Sequence, residues 1–196
     1  RFRGRGDQIE QPGAGDALRK FGTPTECGDT LVWLSEARNK KTVTLDLRKP
    51  QGADMLRQLV ARSDVLLENF RPGTLEKWGF DNAWLEANAP RVVRCSITGY
   101  GTSGPKGGLP GYDFILQAES GLMGITGEPD GTPMKYGVAI VDVVTGLLAC
   151  NSILAALNSR QLCGKGRETG RGFAPLAGAT IHEALGFCRL CRRRVL

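Results

Sequence analysis

The sequence predicts an α/β fold built on a mainly parallel sheet. Three observations carry that prediction. Short β-branched or apolar runs alternate with segments of helical spacing, the pattern of βαβ units. A glycine-rich loop follows the third such run, where parallel α/β sheets place their ligands. The composition, 196 residues with 41% hydrophobic and 23% charged, suits a soluble chain with a sizeable core and excludes a disordered tail, a collagen or a coiled coil.

Residues 42–47 alternate in period two and read as the first strand. Pro50, Gln51 and Gly52 end it and open a helix over 53–62, with Met55, Leu56, Leu59 and Val60 at helical spacing. Residues 64–69 form a second, mostly apolar strand. Arg71-Pro72-Gly73 turns the chain into a short helix carrying Leu75 and Trp78, and another helical turn follows over 83–88. Residues 91–97 read as the third strand, and the glycine-rich loop 99–108 leaves its C-terminal end. A helix is expected over 113–123, then a Gly/Pro loop over 126–133, then a long apolar helix over 139–159. The apolar segment 137–157 is about long enough to span a bilayer. Asp142, Asn151 and Ser152 interrupt it, so a buried core helix is the expectation. A short helix is expected near 181–187.

The formal charge is +6, from 26 basic and 20 acidic residues. It is uneven: residues 1–159 hold 18 of each sign, and residues 160–196 hold 8 basic and 2 acidic. The excess belongs to a tail, so no nucleic-acid surface is indicated. The 6 cysteines read as free thiols of a reducing compartment. Cys188 and Cys191 form a CxxC, but a metal site needs a second ligand pair and His182 alone is at hand. No metal site is expected.

Asp142 is the charged residue that stands out, flanked by Val138 to Val141 on one side and Val143-Val144 on the other. An apolar setting makes a carboxylate costly unless something compensates. One reading is an N-cap that satisfies free amides at the helix start. The other is a nucleophile that the helix dipole and those amides keep ionised. The two are compatible, and the glycine-rich loop could add amides for an oxyanion. Spacing alone goes no further.

A series of short motifs does. They include Pro12-Gly13-Ala14-Gly15-Asp16, Asn69-Phe70-Arg71-Pro72-Gly73, and Gly99-Tyr100-Gly101-Thr102-Ser103-Gly104-Pro105. They continue with Pro110-Gly111-Tyr112-Asp113, Thr126-Gly127-Glu128-Pro129-Asp130-Gly131 and Gly137-Val138-Ala139-Ile140-Val141-Asp142. Each is weak alone. In this order the set resembles the family III CoA-transferases, the CaiB/BaiF group, over residues 8–166. The resemblance implies a parallel-sheet, Rossmann-like large domain, incomplete here, which passes coenzyme A from an acyl-CoA donor to a free carboxylic acid. Asp142 takes the place of the nucleophile that carries an aspartyl-CoA intermediate.

The CoA contacts implied by the resemblance fall on Leu45, Asp46, Leu47 and Arg48, on Asn69, Phe70 and Arg71, on Lys77, and on Gly111, Tyr112 and Asp113. Leu45 to Arg48 stand for a strand segment at the adenine and phosphate end, and Gly111 to Asp113 lie near the pantetheine. Cations at Arg71 and Lys77 suit the phosphates. Ordinary alternatives stay open: Arg71, Lys77 and Asp46 as solvated charges, Tyr112 as packing. Gln11 stands where the family often has Arg, which weakens one phosphate contact. No prosthetic group is implied; CoA and acyl-CoA are substrates. The expected partners are acyl-CoA and a small carboxylic acid, with an interlocked homodimer at full length, no nucleic acid and no membrane. The expected compartment is cytoplasmic, with the mitochondrial matrix as the alternative.

Residues 1–7 do not match the family, and residues 167–196 form an unmatched basic, Cys-containing tail. The expectation is therefore a partial large domain over 1–166, truncated or misread at its ends. Alternatives are a non-catalytic CoA-binding remnant and an α-methylacyl-CoA racemase-like enzyme. The racemase needs a histidine where Tyr112 stands, and two bases. A dinucleotide-binding dehydrogenase is disfavoured, because the glycines at 99–104 lead into Pro105 and more glycines instead of a helix.

Overall fold

The computed structural model describes residues 4–166. Residues 167–196, with the expected helix near 181–187, His182 and the CxxC, lie outside the described residues. The described residues form two compact units that divide between Leu59 and Val60.

In the first unit, β1 (Gly6–Glu10) and β2 (Lys40–Thr44) pair in parallel, with Gly6 opposite Lys40 and Glu10 opposite Thr44. The sequence pattern marks no element before Pro12, because Gly-Asp-Gln-Ile-Glu has one apolar residue and no visible alternation. Tertiary contacts explain the strand. The buried Glu10 carboxylate accepts from Arg19 Nε at 2.8 Å, Arg19 Nη2 at 2.9 Å and the Asp16 amide at 2.9 Å. The side-chain bond to Arg19 holds the Glu10 carboxyl below the usual carboxylate range despite its burial. Arg19 also lies over the ring of buried Trp33, its guanidinium 4.0 Å from the centroid. Trp33 belongs to α1 (Leu31–Glu36), whose N-cap Thr30 accepts from the Trp33 amide.

β2 stops earlier than the sequence suggests. Leu45 is buried and its amide still donates to Glu10, but the Asp46 carboxylate then accepts from the Arg48 amide at 3.2 Å. This local turn ends the ladder and leads into α2 (Pro50–Val60), with proline at its first position. Leu45 to Arg48 are therefore a strand exit and turn, and not the strand segment expected of them.

In the second unit, β3 (Val65–Glu68) and β4 (Val93–Ser96) pair in parallel, Val65 opposite Val93 and Glu68 opposite Ser96. The crossover carries α3 (Thr74–Lys77) and α4 (Asn82–Asn88), as expected. Val60, Leu75, Phe80, Val93 and Cys95 are each at most 2% exposed and form the core beneath these strands. Phe80 meets Trp84 edge-on at 5.4 Å. Burying each such side chain contributes about 1.5–3 kcal/mol. Among the described residues the parallel strands form two separate two-stranded ladders. The three strands read from the sequence do not share one ladder: the first pairs with β1, and the other two pair with each other.

The helix expected over 113–123 is split. α5 (Asp113–Glu119) stops at Gly121, whose φ of 83° suits glycine, and a 3-10 turn (Leu122–Ile125) follows. α6 (Ile140–Cys163) is longer than expected, and among the described residues it is largely open where a buried core helix was expected. Val141, Ala149 and Ala156 are buried along one narrow stripe, while Val143 is 51% and Leu147 62% exposed. By length and composition this helix could cross a membrane. At its far end Arg160 bonds Asp64 at 2.7 Å and the Arg91 carbonyl at 2.8 Å, which ties α6 to the residues just before β3 and β4.

Candidate active site

The site grows from the C-terminal end of β4. There the chain enters the glycine-rich loop and crosses itself. A Cβ at Gly99 would lie 2.6 Å from the Gly111 nitrogen, so neither backbone leaves room for a side chain at the crossing. Inside the loop the Gly101, Gly107 and Gly108 amides donate to Thr98, Gly104 and Gly101 at 2.9, 3.0 and 2.9 Å. These three amides are spent on the loop itself and are not free for an oxyanion. Tyr100 and Lys106 both bond the Glu119 carboxylate, at 2.9 and 2.7 Å, which fastens the loop to α5.

The crossing delivers Asp113 to the start of α5. One carboxylate oxygen accepts from the Val141 amide at 2.8 Å and the Asp142 amide at 3.2 Å. The other accepts from the Gln117 side chain, one helical turn along. Gln117 is 1% exposed; its carbonyl accepts from the Tyr136 amide at 2.8 Å and its amide also donates to the Val138 carbonyl at 3.4 Å. The first turn of α6 is thus capped from 29 residues earlier in the chain, and Asp142 is not the N-cap. Ala139 holds that position and has no side chain to cap with.

Asp142 is solvent-accessible in the first turn of α6. Its carboxyl is nonetheless pushed above the usual aspartate range, first by the protein packed around it and second by the charge of Asp113. The expectation that the helix start keeps it readily ionised is therefore corrected. The amides that would have lowered it are taken by Asp113, which also adds a like charge. What remains is an accessible carboxylate on a fixed backbone, poorly solvated on one side. Such a group can attack an electrophilic carbonyl.

Beside β3 and β4 a cavity of about 190 Å³ opens at the strands' C-terminal ends, lined by Glu68, Phe70, Arg71, Ser96, Thr98 and Thr102 among others. Phe70 and Arg71, two of the expected CoA contacts, are in its wall. Asn69 and Lys77 are exposed nearby in sequence, and neither lines it. Among the described residues Tyr112 is 71% exposed and largely unpacked. Gly111 serves the crossing with Gly99. In the first unit the Leu45 side chain is core, Leu47 is half-buried, and Arg48 pairs with Asp46 through two bonds of 2.8 and 3.1 Å. That pairing holds the Asp46 carboxyl below the usual range.

Three residues of this region were not foreseen. Gln117 could have been found from its i+4 spacing to Asp113. Arg94 is the charged residue of β4, is 8% exposed, and bonds Glu76 at 2.9 Å and Asn82 at 3.1 Å. It also lies 3.8 Å from Glu68, whose carboxylate accepts from the Phe70 amide at 2.8 Å. Arg94 and Glu68 together set the path of the loop that carries Phe70 and Arg71. Charges in a strand are a visible signal, but their partners are not.

The sequence model of CoA-transferase family III matches residues 8–172. The chain is 49% identical over 161 residues to the succinyl-CoA–L-malate CoA-transferase beta subunit of Chloroflexus aurantiacus, covering 82% of this chain and 40% of that protein. It is 43% identical over 159 residues to the succinyl-CoA:glutarate CoA-transferase of Mus musculus, covering 81% of this chain and 36% of that one. A crystal structure of a CaiB/BaiF family protein from Brucella suis superposes with a TM-score of 0.82 at 37% identity, over 93% of this chain and 50% of that chain. The chain spans about two fifths of the length of these curated relatives. It belongs to the family III CoA-transferases.

Proposed function

We propose that this chain carries the nucleophile of an acyl-CoA:carboxylate CoA-transferase, and that Asp142 is that nucleophile. The observation that supports it most is the accessible Asp142 carboxyl on a helix start that Asp113 holds from outside.

The Asp142 carboxylate attacks the donor thioester carbonyl. The C–S bond breaks, giving an acyl-aspartyl anhydride and CoA thiolate. The thiolate attacks the aspartyl carbonyl, releases the donor acid as its carboxylate and leaves an Asp142–CoA thioester. The acceptor carboxylate attacks this thioester and expels the thiolate as a new anhydride forms. Attack of the thiolate on the acceptor carbonyl yields the new acyl-CoA and restores Asp142. Each step exchanges one acyl bond for another, so no metal or redox partner is required. Water must be kept from the anhydrides.

Arg71 and Phe70, in the cavity wall, support a reading in which CoA phosphates and adenine lie at the ends of β3 and β4. Lys77 and Asn69 join them on the resemblance. Tyr112 is free to contact the pantetheine arm. The relatives' names pair succinyl-CoA with malate or glutarate, which supports succinyl-CoA as donor and a small dicarboxylic acid as acceptor. A homodimer and a cytoplasmic setting belong to the same proposal.

The test is a thioester-exchange assay. Succinyl-CoA is mixed with each of several dicarboxylic acids and the CoA esters are separated by chromatography. The proposal expects a new thioester with at least one acid, reduced on the order of 10⁴-fold in Asp142→Ala. Equal exchange by the variant contradicts it.

A further inference from the structure

We propose that Asp113 and Gln117 are a positioning pair for Asp142: through them α5 grips both the segment before α6 and the first turn of α6, and so fixes where the nucleophile stands. The inference rests on the reading of Asp142 as nucleophile and deepens it.

Three observations carry it. The first is reach. The free amides at a helix start are ordinarily capped by the residue just before it. Here the cap position is alanine, and the acceptor comes from another helix. The second is connectivity. Gln117 joins the same carboxylate to the Tyr136 amide and the Val138 carbonyl, so the backbone before and after the cap position is held by one pair of side chains. Gln117 is buried, and its bonds therefore form away from competing water. The third is cost. A neutral acceptor could cap the helix equally well, yet the residue present adds a negative charge beside Asp142. After burial, the charge of Asp113 is the second cause that raises the Asp142 carboxyl above its ordinary range. The device thus does two things. It fixes the backbone of Asp142, and it sets a like charge beside its carboxylate.

The test follows Asp142 directly in the full chain. Aspartate labelled with ¹³C at the side-chain carboxyl is titrated by NMR in the native protein and in Asp113→Asn. The substitution keeps one acceptor for the α6 amides and removes the charge. The Asp142 midpoint is expected to fall. An unchanged midpoint in a folded variant overturns the charge role. Amide hydrogen exchange tests the grip in the native protein, with no substitution needed. Val141 and Asp142 are expected to exchange about tenfold or more slowly than free amides. Exchange at the free rate overturns the proposal even if Asp113→Asn fails to fold. Gln117→Met keeps the volume without the hydrogen bonds, and should speed exchange at Tyr136, Val141 and Asp142 together. An effect confined to Tyr136 contradicts the coupling. None of these readouts uses acyl-CoA. Asp142 behaving as stated while no thioester exchange occurs would remove the proposed function and leave the positioning pair standing.

Discussion

At Asp142 the setting of one carboxyl has consequences that differ for catalysis and for stability. Attack on a thioester needs the ionised form, and burial together with Asp113 raises the Asp142 pKa. The rate of CoA adduct formation should therefore fall with acidification at a midpoint above about 4, the ordinary aspartate value. A pH-rate profile checks this, and a midpoint at or below that value contradicts it. The stability sign is the reverse. A folded-state pKa above the unfolded one means that the native state binds the proton more tightly, so this group's contribution is present at low pH and lost as pH rises through the folded value. At neutral pH the ionised Asp142 weakens the fold. Asp142→Asn should raise Tm at pH 7, with a gap that closes as the pH falls below 4. Asp142 was legible in the sequence as a charge among apolar residues. Its partner was not, because Asp113 lies 29 residues away and nothing local in the sequence announces a cap delivered from another helix.

Among the elements, the glycine-rich loop makes a clear prediction. Gly99 and Gly111 cross with no space for a Cβ on Gly99. Gly99→Ala should destabilise the second unit by about 1–3 kcal/mol, read as a lower denaturation midpoint. It should also perturb Asp142, since the same crossing places Asp113. No loss of stability would show that the loop yields freely. α6 predicts the opposite behaviour on its open side. Leu147 is 62% exposed, so Leu147→Lys should change the stability of this chain by no more than about 0.5 kcal/mol. A larger loss, measured by urea unfolding, would mean that the side chain is covered. The sequence showed the helix through its length and apolarity, but apolarity alone does not say which face is covered. That is why a buried helix was expected and a largely open one is found. β1 was missed for the converse reason: its pairing comes from β2, and its burial from the Glu10–Arg19 contact, both remote in sequence. β3, β4 and the helices between them were legible to within two residues, since their apolar runs are local.

Taken as a molecule, the chain belongs to the family III CoA-transferases, and Asp142 is the nucleophile proposed for it. It joins two parallel strand pairs, a cavity at the C-terminal ends of one pair, and a helix start gripped by a neighbouring helix. The relatives it matches are more than twice as long, so the central question is whether this stretch performs the covalent step. The direct measurement is the intact mass of the chain after incubation with succinyl-CoA, beside Asp142→Ala. The account predicts a mass increase for covalently bound CoA on the parent, removed by hydroxylamine and absent from the variant. A folded parent that gains no CoA mass, or a variant that gains the same mass, would contradict it.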